Sequence, residues 1–323
     1  MAKKNQKFCS PLGKYFQLFI NTKRSFGYKY QEEENQLLRL DKFLIREGLR
    51  EVKFPKSFVE KWLVKSSTES NRNHFHRISI TRLIVDFLLR HNVPAFYPSK
   101  HVIKRIHEYI PYIFSHEEIR KLFTSADILA KTTRKGSIMS LMPVILRFLY
   151  STGMRSGELT RLKWCDVNLK SGVVKVFQGK RRKDRLLPLS TTMHAILKKY
   201  AVTQHDQSPE NPVFISNRGK PCNNRRIYAV FRLILHHAKI PHRGRGKGPR
   251  VHDFRHTFAV HNLEKWLSGK KDLNVHLSIL VDYLGHDSME STQHYLQILP
   301  AIYPEIVSRI ENSVGKKLEE VFS

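Results

Sequence analysis

The chain has 323 residues, 41% of them hydrophobic, with 57 Lys+Arg against 28 Asp+Glu and a formal net charge of +29. That composition excludes an intrinsically disordered chain, and no apolar run approaches the ~18 residues of a membrane span. The length suggests two domains and needs no disulfide staples; the three cysteines, Cys9, Cys165 and Cys222, lie far apart without metal-ligand spacing and read as reduced thiols.

The positive charge is spread along the chain, 22 basic against 10 acidic residues in 1–114 and 35 against 18 in the remainder. Two basic lobes imply a polyanion between them, with RNA and an anionic membrane surface open beside double-stranded DNA on charge alone. The N-terminal segment MAKKNQKFCSPLGKYF lacks an apolar core of signal-peptide length. The expected setting is therefore cytoplasmic, with no membrane span.

In chain order, Ser10-Pro11 predicts a helix start, with Leu12, Phe16 and Phe19 at helical spacing. A second helix is predicted through residues 31–48, with Leu37, Leu40, Phe43 and Leu44 as its stripe and Gly48 as its stop. A third covers 57–65, with Phe58, Trp62 and Leu63 inward. A fourth covers 77–91, with Ile80, Leu83, Ile84, Phe87 and Leu88 inward. These four form a predicted helical domain over residues 8–93. Pro94, Pro98 and Pro111 interrupt the pattern, so 94–114 reads as a linker, whose Lys100, Lys104 and Arg105 are candidates for contact with a phosphate backbone.

The second domain, 115–300, opens at Ser115-His116-Glu117-Glu118, a capping-box pattern. Helices are predicted over 116–130 and 138–152, then from Ser156 onward after Gly153. Alternation at Val174, Val176 and Gln178, and again at Leu187 and Leu189, predicts a β-hairpin around GKRRKDR. Further helices are predicted near 191–202, 223–238, 253–267, 275–284 and 288–297. The fold class is thus mainly α with a small β-hairpin. Ten Lys+Arg and no acidic residue fall between Glu210 and Asp253. Arg243, Arg245, Lys247 and Arg250, in the glycine-rich PHRGRGKGPR, are candidate phosphate contacts, as are Arg181, Arg182 and Lys183 in the hairpin turn. The glycine-rich stretch lacks P-loop spacing.

Several residues carry chemistry suited to a phosphodiester. Guanidinium groups hold phosphate bidentately and stay charged. An imidazole moves a proton near neutral pH, a lysine supplies a leaving-group proton, and a phenol forms a covalent phosphoester. Arg155 stands in YSTGMRSGEL, Lys180 in FQGKRRKDR, His252 and Arg255 one turn apart in HDFRHTFA, His286 in DYLGHDS and Tyr295 in STQHYLQ.

TGMRSGEL, the glycine-lysine hairpin, HDFRHTFA, LGH and a tyrosine nine residues later resemble the tyrosine recombinases, the phage-integrase family. Successive members are spaced by 25, 72, 3, 31 and 9 residues, and this order, more than any single motif, carries the resemblance. It implies a site-specific recombinase of integrase or transposase type, with a helical core-binding domain and a catalytic domain forming a C-shaped clamp on DNA. Tyr295 would be the nucleophile that makes a 3′-phosphotyrosyl bond. Arg155 and Arg255 would clamp the phosphate, with Lys180 as general acid. His252 would help remove the tyrosine proton, and His286 would bond a non-bridging oxygen. No cofactor, metal or ATP is implied. The implied assembly is a homotetramer on paired sites, with accessory DNA-bending or excision factors, in a bacterium or mobile element.

Alternatives stay open beside these. Arg181 or Lys183 could replace Lys180, and Tyr283 is a rival phenol expected to pack in the core. Glu158 is expected to support its helix, His256 to pack beside Arg255, and His294 to face solvent. The tail 301–323, with Ile302, Ile306 and Ile310, would pack on a neighbouring protomer or on its own domain. A type IB topoisomerase would use the same chemistry as a monomer, and a DNA-binding regulator would use the basic surface alone.

Overall fold

The computed structural model describes residues 7–99, 111–177, 184–204, 206–216, 219, 221–244, 248–269 and 273–285. The chain divides into two compact units, Met1–Tyr109 and Ile110–Ser323.

The first unit is built from α1 (Gly13–Ser25), α2 (Gln31–Arg46), α3 (Lys56–Leu63) and α4 (Asn71–Arg90). Their apolar stripes meet in one core that includes Phe16, Ile20, Leu37, Leu44, Val59, Ile84 and Leu88. Three details depart from the sequence reading. Ser10-Pro11 forms a turn ahead of α1, not its first residues; the Gly13 N–H donates to the Ser10 carbonyl at 2.8 Å, and buried Asp41 accepts from the N–H groups of Cys9 and Ser10. α4 begins six residues earlier than expected because Ser70 caps it, accepting from the Asn73 N–H. Its buried positions include Ile78, Thr81, Ile84, Val85 and Leu88, while Leu83 is 40% exposed; the hydroxyl of Thr81 is tolerated inside because it accepts from Trp62 Nε1 at 3.0 Å.

Both ends of the expected linker belong to folded units. Phe54 and Ala95 form a parallel bridge, and Phe114 is fully buried in the core of the second unit. Lys100, Lys104 and Arg105 lie outside the described residues.

The second unit opens with α5 (His116–Lys131). Ser115 accepts from the Glu118 N–H and the Glu118 side chain returns to the Ser115 N–H, a complete capping box. α6 (Ile138–Thr152) is apolar on most of its circumference and fills the core. It stops at Gly153, whose left-handed φ of 57° is open to glycine at little cost. The helix expected after it is a single turn, α7 (Ser156–Leu159), followed by a 3-10 turn at Trp164–Asp166.

Three short strands, β1 (Val167–Asn168), β2 (Val173–Val176) and β3 (Arg185–Pro188), form an antiparallel sheet in the order β1-β2-β3. β2 and β3 pair in the register Val174↔Leu187, so the two expected inward residues face each other. β1 is too short to show alternation. α8 (Thr191–Val202), α9 (Asn224–His237), α10 (Asp253–Ser268) and α11 (Leu273–Leu284) complete the unit. α10 and α11 share a smaller core of Ala259, Val260, Leu263, Leu277, Leu280 and Leu284. No described helix is long and apolar enough to cross a membrane. The helix expected over 288–297 and the tail 301–323 lie outside the described residues.

Candidate active site

The site forms where three separate chain segments end. Gly153 reverses the chain after α6, which sets Arg155 at the N-cap of α7. The α10 helix starts at Asp253, with His252 at its N-cap and Arg255 in its first turn. α11 ends at Leu284, and Gly285 turns left-handed with φ 63°.

Arg255 ties these ends together. It is 2% exposed, with Nη1 donating to the Gly153 carbonyl at 2.9 Å and Nη2 donating to the Leu284 carbonyl at 2.6 Å. Both acceptors are carbonyls at helix C-termini, where the helix leaves oxygens unpaired and the dipole favours a cation. A guanidinium this buried is held in place by these two directed bonds.

Arg155 reaches the same turn from the other side. Its Nη2 donates to the Gly285 carbonyl at 3.1 Å and its Nη1 to Glu158 Oε1 at 2.9 Å. Two guanidiniums far apart in sequence therefore bond the carbonyls of adjacent residues, Leu284 and Gly285. Arg155 is the more open, its side chain 26% exposed.

Glu158 holds this arrangement from beneath. Its Oε2 accepts from the Arg155 N–H at 3.0 Å, which caps α7. Arg185 Nη2 donates to Oε2 at 2.7 Å and Nη1 to Oε1 at 3.2 Å, while Nε donates to the Tyr283 carbonyl at 3.0 Å. Burial alone would push the Glu158 carboxyl up; the hydrogen bonds and charge of Arg185, with those of Arg155, outweigh it and bring the carboxyl down to about 2. The expected support role of Glu158 matches this geometry.

Arg185 escapes the sequence reading, in which GKRRKDR is one polar turn. A signal is present: Arg185 lies two residues before inward Leu187, so strand alternation points it inward.

His252 faces solvent along part of its surface, but the protein around the ring and the guanidiniums of Arg255, Arg155 and Arg250 hold its imidazole down to about 4. It is thus a neutral ring at neutral pH, able to accept a proton. His256 meets it edge to face, ring centroids 5.0 Å apart. Tyr283 stacks on Phe258 at 5.5 Å and burial pushes its phenol up to about 12, which suits a packed core residue better than a nucleophile. Lys180, His286 and Tyr295 lie outside the described residues, as do Arg181, Arg182, Lys183, Arg245, Lys247 and His294. Of the basic-loop candidates, Arg243 is exposed with φ 51°, and the Arg250 N–H donates to Asp253 Oδ2 at 2.6 Å, helping to fix the start of α10.

One group of metal-ligand chemistry occurs among the described residues. His116, His261 and Glu264 bring donor atoms within 4.8 Å of one another. The two imidazoles stack, however, with centroids 3.9 Å apart and planes 25° from parallel. Their in-plane lone pairs do not converge, so the cluster does not fit a metal as arranged. His261 instead bonds Tyr150 OH at 2.9 Å through Nδ1; burial, then the neighbouring His116, holds it down to about 4.

That depression has a consequence for stability. An unfolded histidine titrates near 6.5, so acidification below that value favours unfolding until the folded ring charges near 4. The loss across that window is on the order of 3 kcal/mol. Urea unfolding at pH 7.5 and pH 4.5 is expected to show a smaller pH dependence in His261→Gln than in the native sequence. Parallel curves would contradict the assignment.

The sequence model of the phage integrase family matches residues 113–301. Tyrosine recombinase XerD of Chlorobaculum tepidum is 30% identical over 239 residues, 71% of this chain and 71% of that protein. Tyrosine recombinase XerA of Pyrococcus furiosus is 30% identical over 216 residues, 65% of this chain and 67% of that protein. Among solved structures, lambda integrase (residues 75–356) bound to DNA aligns with a TM-score of 0.62 at 17% identity, covering 86% of this chain and 93% of the other. The Tn1549 transposon integrase in complex with transposon right end DNA aligns with a TM-score of 0.62 at 14% identity, covering 87% and 94%.

Proposed function

The chain belongs to the phage integrase family of tyrosine recombinases, enzymes that cut and rejoin DNA, and from that premise we propose a reaction path through its own residues. Tyr295 attacks the scissile phosphate and forms a 3′-phosphotyrosyl bond while the 5′-oxygen leaves. Arg155 and Arg255 hold the non-bridging oxygens as charge builds on them, joined by His286. His252 accepts the tyrosine proton, and Lys180 delivers a proton to the leaving 5′-oxygen. The phosphotyrosine conserves the bond energy, and attack by a 5′-hydroxyl reverses the step on a new partner strand. Neither a metal nor ATP enters this path.

The observation that supports it most is the convergence of Arg155 and Arg255 on the Leu284 and Gly285 carbonyls, immediately before His286 in the sequence. Donors fixed before substrate arrives need no reorganisation when charge develops, the arrangement that contributes most to such reactions. Within the same proposal the two units, 8–93 and 115–300, grip DNA as a clamp. Strand exchange takes place in a homotetramer on paired sites, assisted by accessory DNA-bending or excision factors. Lys100, Lys104, Arg105, Arg181, Arg182, Lys183, Arg243, Arg245, Lys247 and Arg250 serve as backbone contacts.

The test is covalent capture. The protein is incubated with fragmented genomic DNA in EDTA without nucleotide, denatured in detergent, and the DNA that stays attached to protein is sequenced. Recurrent attachment at one short site, with DNA joined through its 3′ end, supports the proposal. Relaxation of any supercoiled plasmid by a monomer would favour a type IB topoisomerase instead, and no attachment under these conditions would overturn the reaction path.

A further inference from the structure

The buried network around Glu158 assigns a task to a residue outside the six reactive groups. Glu158 is a full counter-ion for Arg155, at 2.9 Å. A carboxylate this close would offset the positive charge that Arg155 must present to a phosphate. Arg185 sits on the other side of the same carboxylate at 2.7 Å, its side chain only 8% exposed. The three groups together carry one net positive charge, and Arg155 is the one with an open face. The third donor of Arg185, Nε, holds the Tyr283 carbonyl, and its side chain packs under Gly285, where an added Cβ would lie 3.2 Å from Arg185 Cδ. Arg185 thus touches both the segment that carries Arg155 and the turn that precedes His286.

We propose that Arg185 is a positioning residue that offsets the charge of Glu158, leaving the Arg155 guanidinium uncompensated for the scissile phosphate, and that fixes the turn before His286. The proposal rests on the reaction path above. Its physical core is competition: without Arg185, Glu158 has Arg155 as its nearest side-chain cation, and the buried carboxylate draws that guanidinium away from substrate. Interactions between charges in such a partly buried site are weakly screened.

The competition makes an unusual prediction about a double variant. Arg185→Met removes the compensating charge, and Arg185→Met with Glu158→Gln also removes the charge it compensated. The amide introduced by E158Q keeps an oxygen to accept the Arg155 N–H. Single-turnover cleavage is measured at saturating concentration on a nicked duplex carrying the site recovered by covalent capture, beside DNA affinity and the urea midpoint of each protein. R185M is expected to cleave about 10²-fold slower than the native sequence at unchanged DNA affinity, the scale of losing one charge clamp. Adding E158Q is expected to restore at least about tenfold of that rate, because no carboxylate then offsets the Arg155 charge.

A purely structural role predicts the reverse, since a second lesion in one network does not repair the first. A double variant as slow as R185M, or R185M at the native rate, overturns the proposal. If R185M does not fold, Arg185→Lys carries the test: it retains a charge beside Glu158 and is expected within about tenfold of the native rate. A loss in R185K as deep as about 10² would overturn the charge role. Absence of any adduct with the native sequence would instead overturn the reaction path itself, and the two failures are thereby separated.

Discussion

Tyr295→Phe is expected to abolish covalent attachment to DNA while leaving DNA binding intact. The substitution removes one oxygen, the atom that would make the phosphoester, and keeps the ring. Binding by a chain of net charge +29 draws chiefly on phosphate contacts by Lys and Arg, so affinity and its salt dependence are expected to stay within about twofold. Detergent-resistant complexes on a nicked duplex are expected to vanish in Y295F. Complexes persisting at the native rate would mean that another residue is the nucleophile.

The second large effect falls on Arg255, and it is expected in two measurements at once. Arg255→Ala leaves the Gly153 and Leu284 carbonyls without their donor in a closed site. Each buried unsatisfied group costs about 1–3 kcal/mol, so a destabilisation of about 2–4 kcal/mol is expected by urea unfolding. Loss of the charge clamp should also slow cleavage about 10²–10³-fold. Arg155→Ala should separate these quantities. Its guanidinium is more open and α7 retains the Glu158 cap through the Arg155 backbone N–H. A similar loss of rate is therefore expected with a destabilisation of about 1 kcal/mol or less, the usual worth of a half-open ion pair. Equal stability losses in the two variants would contradict the distinction between a buried anchor and an open clamp.

The ends of elements are the most legible in the sequence because their causes are local. The capping box at Ser115 needs only residues 115–118, and the left-handed stop at Gly153 needs only a residue without Cβ. Strand register is legible for a related reason: Val174 and Leu187 are the inward residues of two alternating segments, so alternation pairs them. What escapes depends on partners distant in sequence. Leu83 looks as apolar as Ile84, but the α4 face that is covered is set by α1, α2 and α3, and Thr81 takes an inward position because Trp62 offers a donor. The pairing of Ala95 with Phe54 and the burial of Phe114 against α10 are likewise long-range contacts that the prolines around them do not announce.

The site divides in the same way. The candidate residues stand out through motif order, and of these Arg155 and Arg255 bond the carbonyls of adjacent residues. The contacts that seat them, to Gly153, Leu284 and Gly285, are backbone carbonyls and carry no residue signature. Arg185 is hidden among the cations of GKRRKDR, where composition alone cannot tell an arginine facing DNA from one turned under a carboxylate. Only its phase with Leu187 marks it, and a polar turn is seldom searched for strand phase.

The most direct test is to identify the amino acid that holds the DNA. Captured complexes are digested with nuclease and protease, and the peptide bearing a residual nucleotide is sequenced by mass spectrometry. The expected peptide spans STQHYLQ, with a 3′-nucleotide on the oxygen of Tyr295. A nucleotide on Tyr283, on a serine, or linked through a 5′-phosphate would contradict the central claim.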